Sequence, residues 1–443
     1  DRKSPPERER LFPPRLTRNG PNSAMQGKLA AGEYPGIRIG GGGKMNKRPL
    51  LALVGAALVV IAFVLFILPS RSEQNPASAN GPVEGQAQLS PSGKASQASD
   101  TSGVTTPPEP QPELEIEKLS AGQQAPQFVV ISFDGGVESK SGVMQHYLDV
   151  AKKVDGRFSF FVSGVYLLPD NKARLNYAPP KKPRGTSAIG FGDPAIIGTR
   201  INKLSDAWNA GHEIGTHYNG HFCGAGGVGS WSAADWTSEI NQFNTIMDNW
   251  RAFNPQAADA GPLPFNSSVV KGGRTPCLEG NRPAMFKAFK EAGYRYDTSG
   301  GGSLTWPKQV KNGLWNIPLQ AIKVAGMKFG VLSMDYNFLA NQNAGKTSAS
   351  KDKCQQIEDD TYNAYTNALK AVNNGNRAPL ILGNHMNDWV CNAYTNALSR
   401  FIEDTHERDP NVRFISTLDL VNWMDAQDPT VLAGLQKLSA PRQ

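Results

Sequence analysis

From about residue 128 to residue 415 the chain keeps repeating one local theme, a short run of β-branched and aromatic residues followed, several times over, by a helical pattern. Runs at 128–133, 158–162, 294–297, 314–319, 330–334, 379–382 and 412–415 have the length and composition of strands. The stretch 143–154 places Val143, Tyr147, Val150, Ala151 and Val154 on one side of a helix. The clearest helix is 232–253, where Ser232 is the expected N-cap and Trp236, Ile240, Phe243, Met247 and Trp250 recur at spacings of four and three. Those rings read as core rather than as a sugar platform. Strands alternating with helices predict a parallel α/β barrel or sheet.

That pattern fills only part of the 443 residues. Residues 69–127 hold no aromatic side chain and are dominated by Ser, Ala, Gln, Pro, Gly and Glu, a composition that cannot bury enough surface to fold. All eight Trp and all four Cys lie beyond it. The expected organisation is a disordered linker at 69–125, one folded domain at 126–428 and a C-terminal tail at 429–443. Upstream, 50–68 is an unbroken apolar run, from Leu50 to Leu68, long enough at 1.5 Å per residue to cross roughly 28 Å of bilayer. Lys44, Lys47 and Arg48 precede it, so the positive flank stays inside and the domain is expected outside, on a single-pass bacterial membrane anchor. The alternative is a cleaved signal peptide ending near Ala77-Ser78-Ala79, which would leave the domain secreted.

Residues 1–49 carry eleven of the 46 Lys/Arg but four of the 39 Asp/Glu, which leaves 35 of each sign in the rest. The basic balance therefore belongs to this tail, and nucleic acid is set aside as a main partner. Residues 1–44 show no apolar periodicity. Gly40-Gly41-Gly42-Gly43-Lys44 before Met45 is what a translated ribosome-binding site would encode, so Met45 is the expected start. Cys223, Cys277, Cys354 and Cys391 make an even set in a region expected to be exported, where disulfides persist, and no CxxC spacing points to a Cys-ligated zinc. The heptapeptide Asn363-Ala-Tyr-Thr-Asn-Ala-Leu369 recurs unchanged at 392–398 with different flanks, so the chain is no repeat array.

Polar residues gather where the strands end. Asp134 follows the 128–133 run, His217 the short run His212-Glu213-Ile214-Gly215, Arg274 lies beyond Val269-Val270, Asp335 closes the run from Gly330 and His385 follows Leu380-Ile381-Leu382. In a parallel barrel such ends form one rim. Taken singly, an Asp there is ordinarily a turn or cap and an Arg a solvated or paired group; their shared position marks a site. His217 and His221 are more specific. Two imidazoles at i and i+4 on a helical turn share a face and can offer two nitrogens to one metal.

These residues resemble the polysaccharide deacetylase (NodB-homology) family. Gly211-His-Glu-Ile-Gly-Thr-His217-Tyr-Asn-Gly-His221 looks like its metal-binding motif. Ser132-Phe133-Asp134-Gly135-Gly136, Arg274-Thr275-Pro276-Cys277, Leu332-Ser333-Met334-Asp335-Tyr336 and Leu380-Ile381-Leu382-Gly383-Asn384-His385 follow in the family's order, as does the strand region Gly293-Tyr-Arg-Tyr-Asp-Thr-Ser299. The resemblance covers about 126–425. It implies a distorted (β/α) barrel that removes N-acetyl groups from an extracytoplasmic or cell-wall polysaccharide with a divalent metal, zinc by preference. His217 and His221 would hold the metal, Asp134 would be the base held by Arg274, and His385 the acid supported by Asp335. The backbone N–H of Cys277 would face the oxyanion. Because Cys223 and Cys277 trail neighbouring motifs, the resemblance also implies the pairs Cys223–Cys277 and Cys354–Cys391.

One departure leaves alternatives open. The family's first motif has two adjacent Asp, base and then metal ligand, whereas the second position here is Gly135. Either Asp134 becomes the third ligand, or another carboxylate such as Glu138 or Asp335 completes the site, or the metal is lost and the domain only binds glycan. Cys277 also stands where an aromatic Tyr is usual, and 224–231 is an insertion. A hydrolase of another acyl or amide bond is the remaining class.

Overall fold

β1 (Gln127–Asp134) is buried at all eight positions, and its sequence QFVVISFD is apolar with almost no alternation. A strand covered on both faces has this character, and β1 is accordingly central. The computed structural model describes residues 108–443. In it β1 pairs in parallel with β11 (Leu380–His385), β12 (Val412–Ile415) and β2 (Ser159–Val162). The parallel succession continues through β3 (Glu213–Thr216), β4 (Gly272–Gly273), β5 (Tyr296–Asp297) and β8 (Trp315–Asn316), with β7 (Lys308–Gln309) antiparallel at the end. A smaller sheet sets β9 (Leu319–Lys323) between β6 (Gly301–Gly302) and β10 (Gly330–Leu332). A parallel bridge from Met334 to Gly383, with the Gly383 N–H donating to the Ser333 carbonyl at 2.8 Å, ties that sheet back to β11. The architecture is a curled, mixed sheet surrounded by helices.

The helix Ala233–Asp248 begins where expected. Ser232 and Asp235 cap each other in a capping box, and Trp236, Ile240, Phe243 and Met247 are all buried in the core. It stops before Trp250, which opens a separate turn, Trp250–Phe253. The run expected as one strand at 314–319 is split between β8 and β9, because Pro318 has no N–H to give a ladder. The two copies of the heptapeptide bury matching positions, Ala364, Tyr365, Ala368 and Leu369 in the helix Lys351–Asn373 and Ala393, Tyr394, Ala397 and Leu398 in the helix Trp389–Arg408. Cys354–Cys391 clips these two helices together.

Two composition-based expectations need correction. The end of the expected linker, from residue 108 to 125, lies against the domain: the Glu109 N–H donates to Pro264, Gln111 Nε2 reaches the carbonyls of Trp208 and His212, and Leu119 and Ala125 are buried. A proline-rich stretch loses little entropy on ordering, so few contacts suffice. The expected tail at 429–443 contains the helix Pro429–Leu435, and Gln436 and Gln443 bond to Pro307 and Ala321. The apolar run at 50–68, residues 1–49 and the start at Met45 lie outside the described residues. Among the described residues no helix is long and apolar enough to cross a membrane.

Candidate functional site

Strand register assembles the site. Asp134 and His385 are direct partners at the last positions of β1 and β11, and Thr216 and Gly273 are partners at the ends of β3 and β4, so His217 and Arg274 leave adjacent strands side by side. The Arg274 N–H donates to the Thr216 carbonyl at 3.0 Å. β4 is two glycines because its neighbour is so close: a Cβ at Gly273 would sit 1.8 Å from the Thr216 carbonyl oxygen.

Arg274 is fully buried, and its Nη1 donates to Asp134 Oδ1 at 2.8 Å. Burial alone would raise the Asp134 pKa, but Arg274 first, then His217 and His385, hold it below the usual carboxylate range. Nε of Arg274 donates to the Thr298 carbonyl at 3.3 Å, and its guanidinium carbon lies 5.2 Å from the centre of the Phe161 ring. At the other side of Asp134, His385 Nδ1 donates to Asp335 Oδ1 at 2.7 Å, which leaves Nε2 for the cleft. Asp335 also accepts from the backbone of Tyr336 and His385 and from Asn387 Nδ2. Burial pushes the His385 pKa down, yet the Asp335 charge and hydrogen bond outweigh it, and the net direction is up.

His217 Nδ1 donates to the Arg274 carbonyl at 2.8 Å, so Nε2 carries the free lone pair. The His217 and His221 ring centres are 5.0 Å apart. Burial lowers both pKa values, and His221, depressed further by His217 and His385, falls to about 3. Both imidazoles are thus neutral and able to ligate at physiological pH. Behind them Glu239, 1 % exposed, accepts from the Asn219 N–H and the Tyr177 hydroxyl, each at 3.0 Å, and carries the loop between the two histidines. Sequence reading missed Glu239; its signal was a lone Glu on the apolar face that holds Trp236, Ile240 and Phe243.

The third-ligand alternatives narrow. Glu138 is spent on the start of the helix Val143–Lys153, accepting from the backbone of Ser139, Met144 and Gln145, and Asp335 is spent on His385. Both carboxylates therefore lie outside the donor set. Gly135 has φ 67° and no side chain to offer. Two neutral imidazoles and the Asp134 carboxylate remain on the rim, but the donor atoms of these three do not all lie within 4.8 Å of one another. Among the described residues the trio of His, Cys, Asp or Glu donor atoms within 4.8 Å of one another is instead His221, Cys223 and Cys277. There the two sulfurs are bonded to each other, as Cys354 and Cys391 also are. The Cys277 backbone, φ 54°, turns at the same corner.

Glycine keeps the rim open at Gly383. A Cβ there would meet Leu319 Cδ2 and Met334 Cε at 2.9 Å and Arg274 Nη1 at 3.2 Å. Gly383→Ala is expected to cost about 1–3 kcal/mol by overpacking and to push Arg274 off Asp134. Urea denaturation and the pH profile of activity, read together, check this; a variant matching the parent in both would contradict it.

No protein-family model matches the chain, and no curated protein matches it. Solved structures that it resembles include polysaccharide deacetylases, family 4 carbohydrate esterases and a family 4 pseudoenzyme. One from Mycobacterium smegmatis, described as a polysaccharide deacetylase by inference, is 16 % identical over 74 % of this chain and 98 % of its own, with a TM-score of 0.40. The chitin deacetylase of Colletotrichum lindemuthianum is 13 % identical over 73 % and 95 %, TM-score 0.37. A family 4 pseudoenzyme from Bacillus anthracis is 10 % identical over 68 % and 67 %, TM-score 0.36.

Proposed function

We propose that this chain is a hydrolase that removes N-acetyl groups from an extracytoplasmic or cell-wall polysaccharide, on a distorted (β/α) barrel of the NodB kind and with a divalent metal, zinc by preference. The observation that carries the reading is the Asp134–His385 pair. Two titratable groups sit side by side on one strand register, and their surroundings push them apart: Arg274 keeps Asp134 ionised and Asp335 favours a protonated His385. Such divergence separates a base from an acid. Asp134 takes the proton of the attacking water, and His385 Nε2 returns one to the departing amine. Arg274 and Asp335 fix the two groups, and the Cys277 N–H faces the developing oxyanion.

A divalent ion would be held by His217 and His221, with Asp134 a carboxylate on the same rim, and when bound it would polarise the acyl carbonyl and acidify water. The donor chemistry fits that role, with two neutral nitrogens and one anchored Nδ1. The decisive experiment measures acetate release from N-acetylhexosamine oligosaccharides by the purified chain with zinc added. Release that depends on zinc and on His217 supports the proposal. A second reading, glycan binding without turnover, is favoured by Gly135, which supplies no second carboxylate. Oligosaccharide binding with neither zinc uptake nor acetate release would establish it. In either reading the run at 50–68 would anchor the domain outside the cell, and protease added to intact cells should then shed it; a protected full-length chain would contradict that orientation.

A further inference from the structure

The trio at the rim has a chemistry of its own. Cys223 lies two residues past His221 in the loop after β3, and Cys277 three past Arg274 in the loop after β4. Because β3 and β4 are parallel neighbours, both sulfurs arrive at one corner, and both cysteines are exposed. His221 Nδ1 points there too, 3.7 Å from Cys223 Sγ. An ion with Zn–S of about 2.3 Å and Zn–N of about 2.0–2.1 Å in tetrahedral geometry spans an N···S edge of roughly 3.6 Å. The nitrogen and first sulfur already stand at nearly that separation. Only the second sulfur must withdraw.

We propose that reducing the Cys223–Cys277 disulfide creates a metal site of Cys223 Sγ, Cys277 Sγ and His221 Nδ1, for a thiophilic divalent ion such as Zn²⁺. A dithiol reductant supplies two electrons: its own sulfurs join as a disulfide, the Cys223–Cys277 bond breaks, and each protein sulfur takes a proton. On metal binding both thiol protons leave to solvent and two thiolates enter the coordination sphere. The fourth position is left to water or ligand.

The loops stay together without the disulfide. The Gly224 N–H donates to Glu279 Oε2 at 2.6 Å, His217 Nδ1 to the Arg274 carbonyl at 2.8 Å and the Arg274 N–H to the Thr216 carbonyl at 3.0 Å. Left-handed backbone at His221 (φ 55°), Gly224 (φ 76°) and Cys277 (φ 54°) turns both loops toward the shared corner. The site would use Nδ1 of His221, the ring nitrogen that stands beside Cys223 Sγ. Nothing in this requires acyl hydrolysis, and its readout needs no substrate.

The test is cobalt titration of the whole chain under anaerobic conditions, before and after treatment with a dithiol. Reduced protein should show a thiolate-to-cobalt charge-transfer band at one ion per chain, displaced by zinc; oxidised protein should show none. Cys223→Ser and Cys277→Ala should each abolish the band and His221→Ala should diminish it, while the Cys354→Ala/Cys391→Ala double variant should retain it. No band in reduced protein, or an equal band in Cys223→Ser, overturns the proposal. If reduction unfolds the chain, circular dichroism restored by metal together with the band supports it, and loss that metal does not restore counts against it.

Discussion

Asp134→Asn is expected to cut acetate release by about 10²–10⁴-fold. The amide has nearly the shape of the carboxylate but cannot accept the water's proton. Metal content decides what else Asp134 does. If it acts only as base, zinc stoichiometry should be unchanged, and if it is the third ligand, occupancy should fall with activity, because an amide oxygen is a poorer ligand than a carboxylate. Stability should also drop by about 3–5 kcal/mol, since Arg274 is fully buried and Asp134 is its anionic partner. Acetate release, zinc analysis and urea denaturation on the same preparation separate these contributions. Activity equal to the parent would defeat both roles. Gly135→Asp, which would supply the second carboxylate of the family's first motif, has a cost of its own: the position is left-handed, and a Cβ there would stand 3.3 Å from the Tyr166 ring.

The strand ends were legible because parallel sheets place strand C-termini on one rim. A reader of the sequence can therefore group Asp134 and His385 from their strand runs. Arg274 is different: Val269-Val270 before it close the turn Ser267–Val269 rather than a strand, and it leaves a strand of two glycines with no apolar pattern to read. What periodicity does not carry is partner choice. Glu138 and Asp134 lie four residues apart at the same strand end, yet one binds backbone N–H groups at a helix start and the other a buried guanidinium. Only the fold separates them. Composition misjudged 108–125 for a related reason: proline-rich sequence signals the lack of a core of its own and says nothing about a core it can lie against. Glu239 was missed because a lone carboxylate on an apolar helix face marks a buried charge without naming what holds it; its partners, Tyr177 and Asn219, are 62 and 20 residues away.

That buried Glu239 gives the second large effect. Burial, only partly offset by hydrogen bonds from Tyr177, Asn219 and Gly220, raises its pKa to about 7 from an ordinary 4.5. Below pH 4.5 the carboxyl is neutral in both folded and unfolded chains, and its folded-state advantage is complete. As pH rises the unfolded carboxyl ionises first, and that advantage is lost until the folded group also ionises near pH 7. A shift of this size corresponds to about 3 kcal/mol, all of it gone above roughly pH 8. Glu239→Gln removes the titration while keeping an oxygen for the Asn219 N–H. Relative to the parent it should therefore gain about 3 kcal/mol between pH 4.5 and 8, read as the difference between two urea series. The difference matters because His217 and His221, whose folded pKa values are depressed, tilt both curves the opposite way below pH 6.5 and cancel. Parallel curves would show that Glu239 titrates normally. If the curves diverge as expected, the loop between the two histidines rests on a carboxyl that ionises near neutrality. Its grip on the Asn219 N–H is then strongest where the charge is most costly to bury.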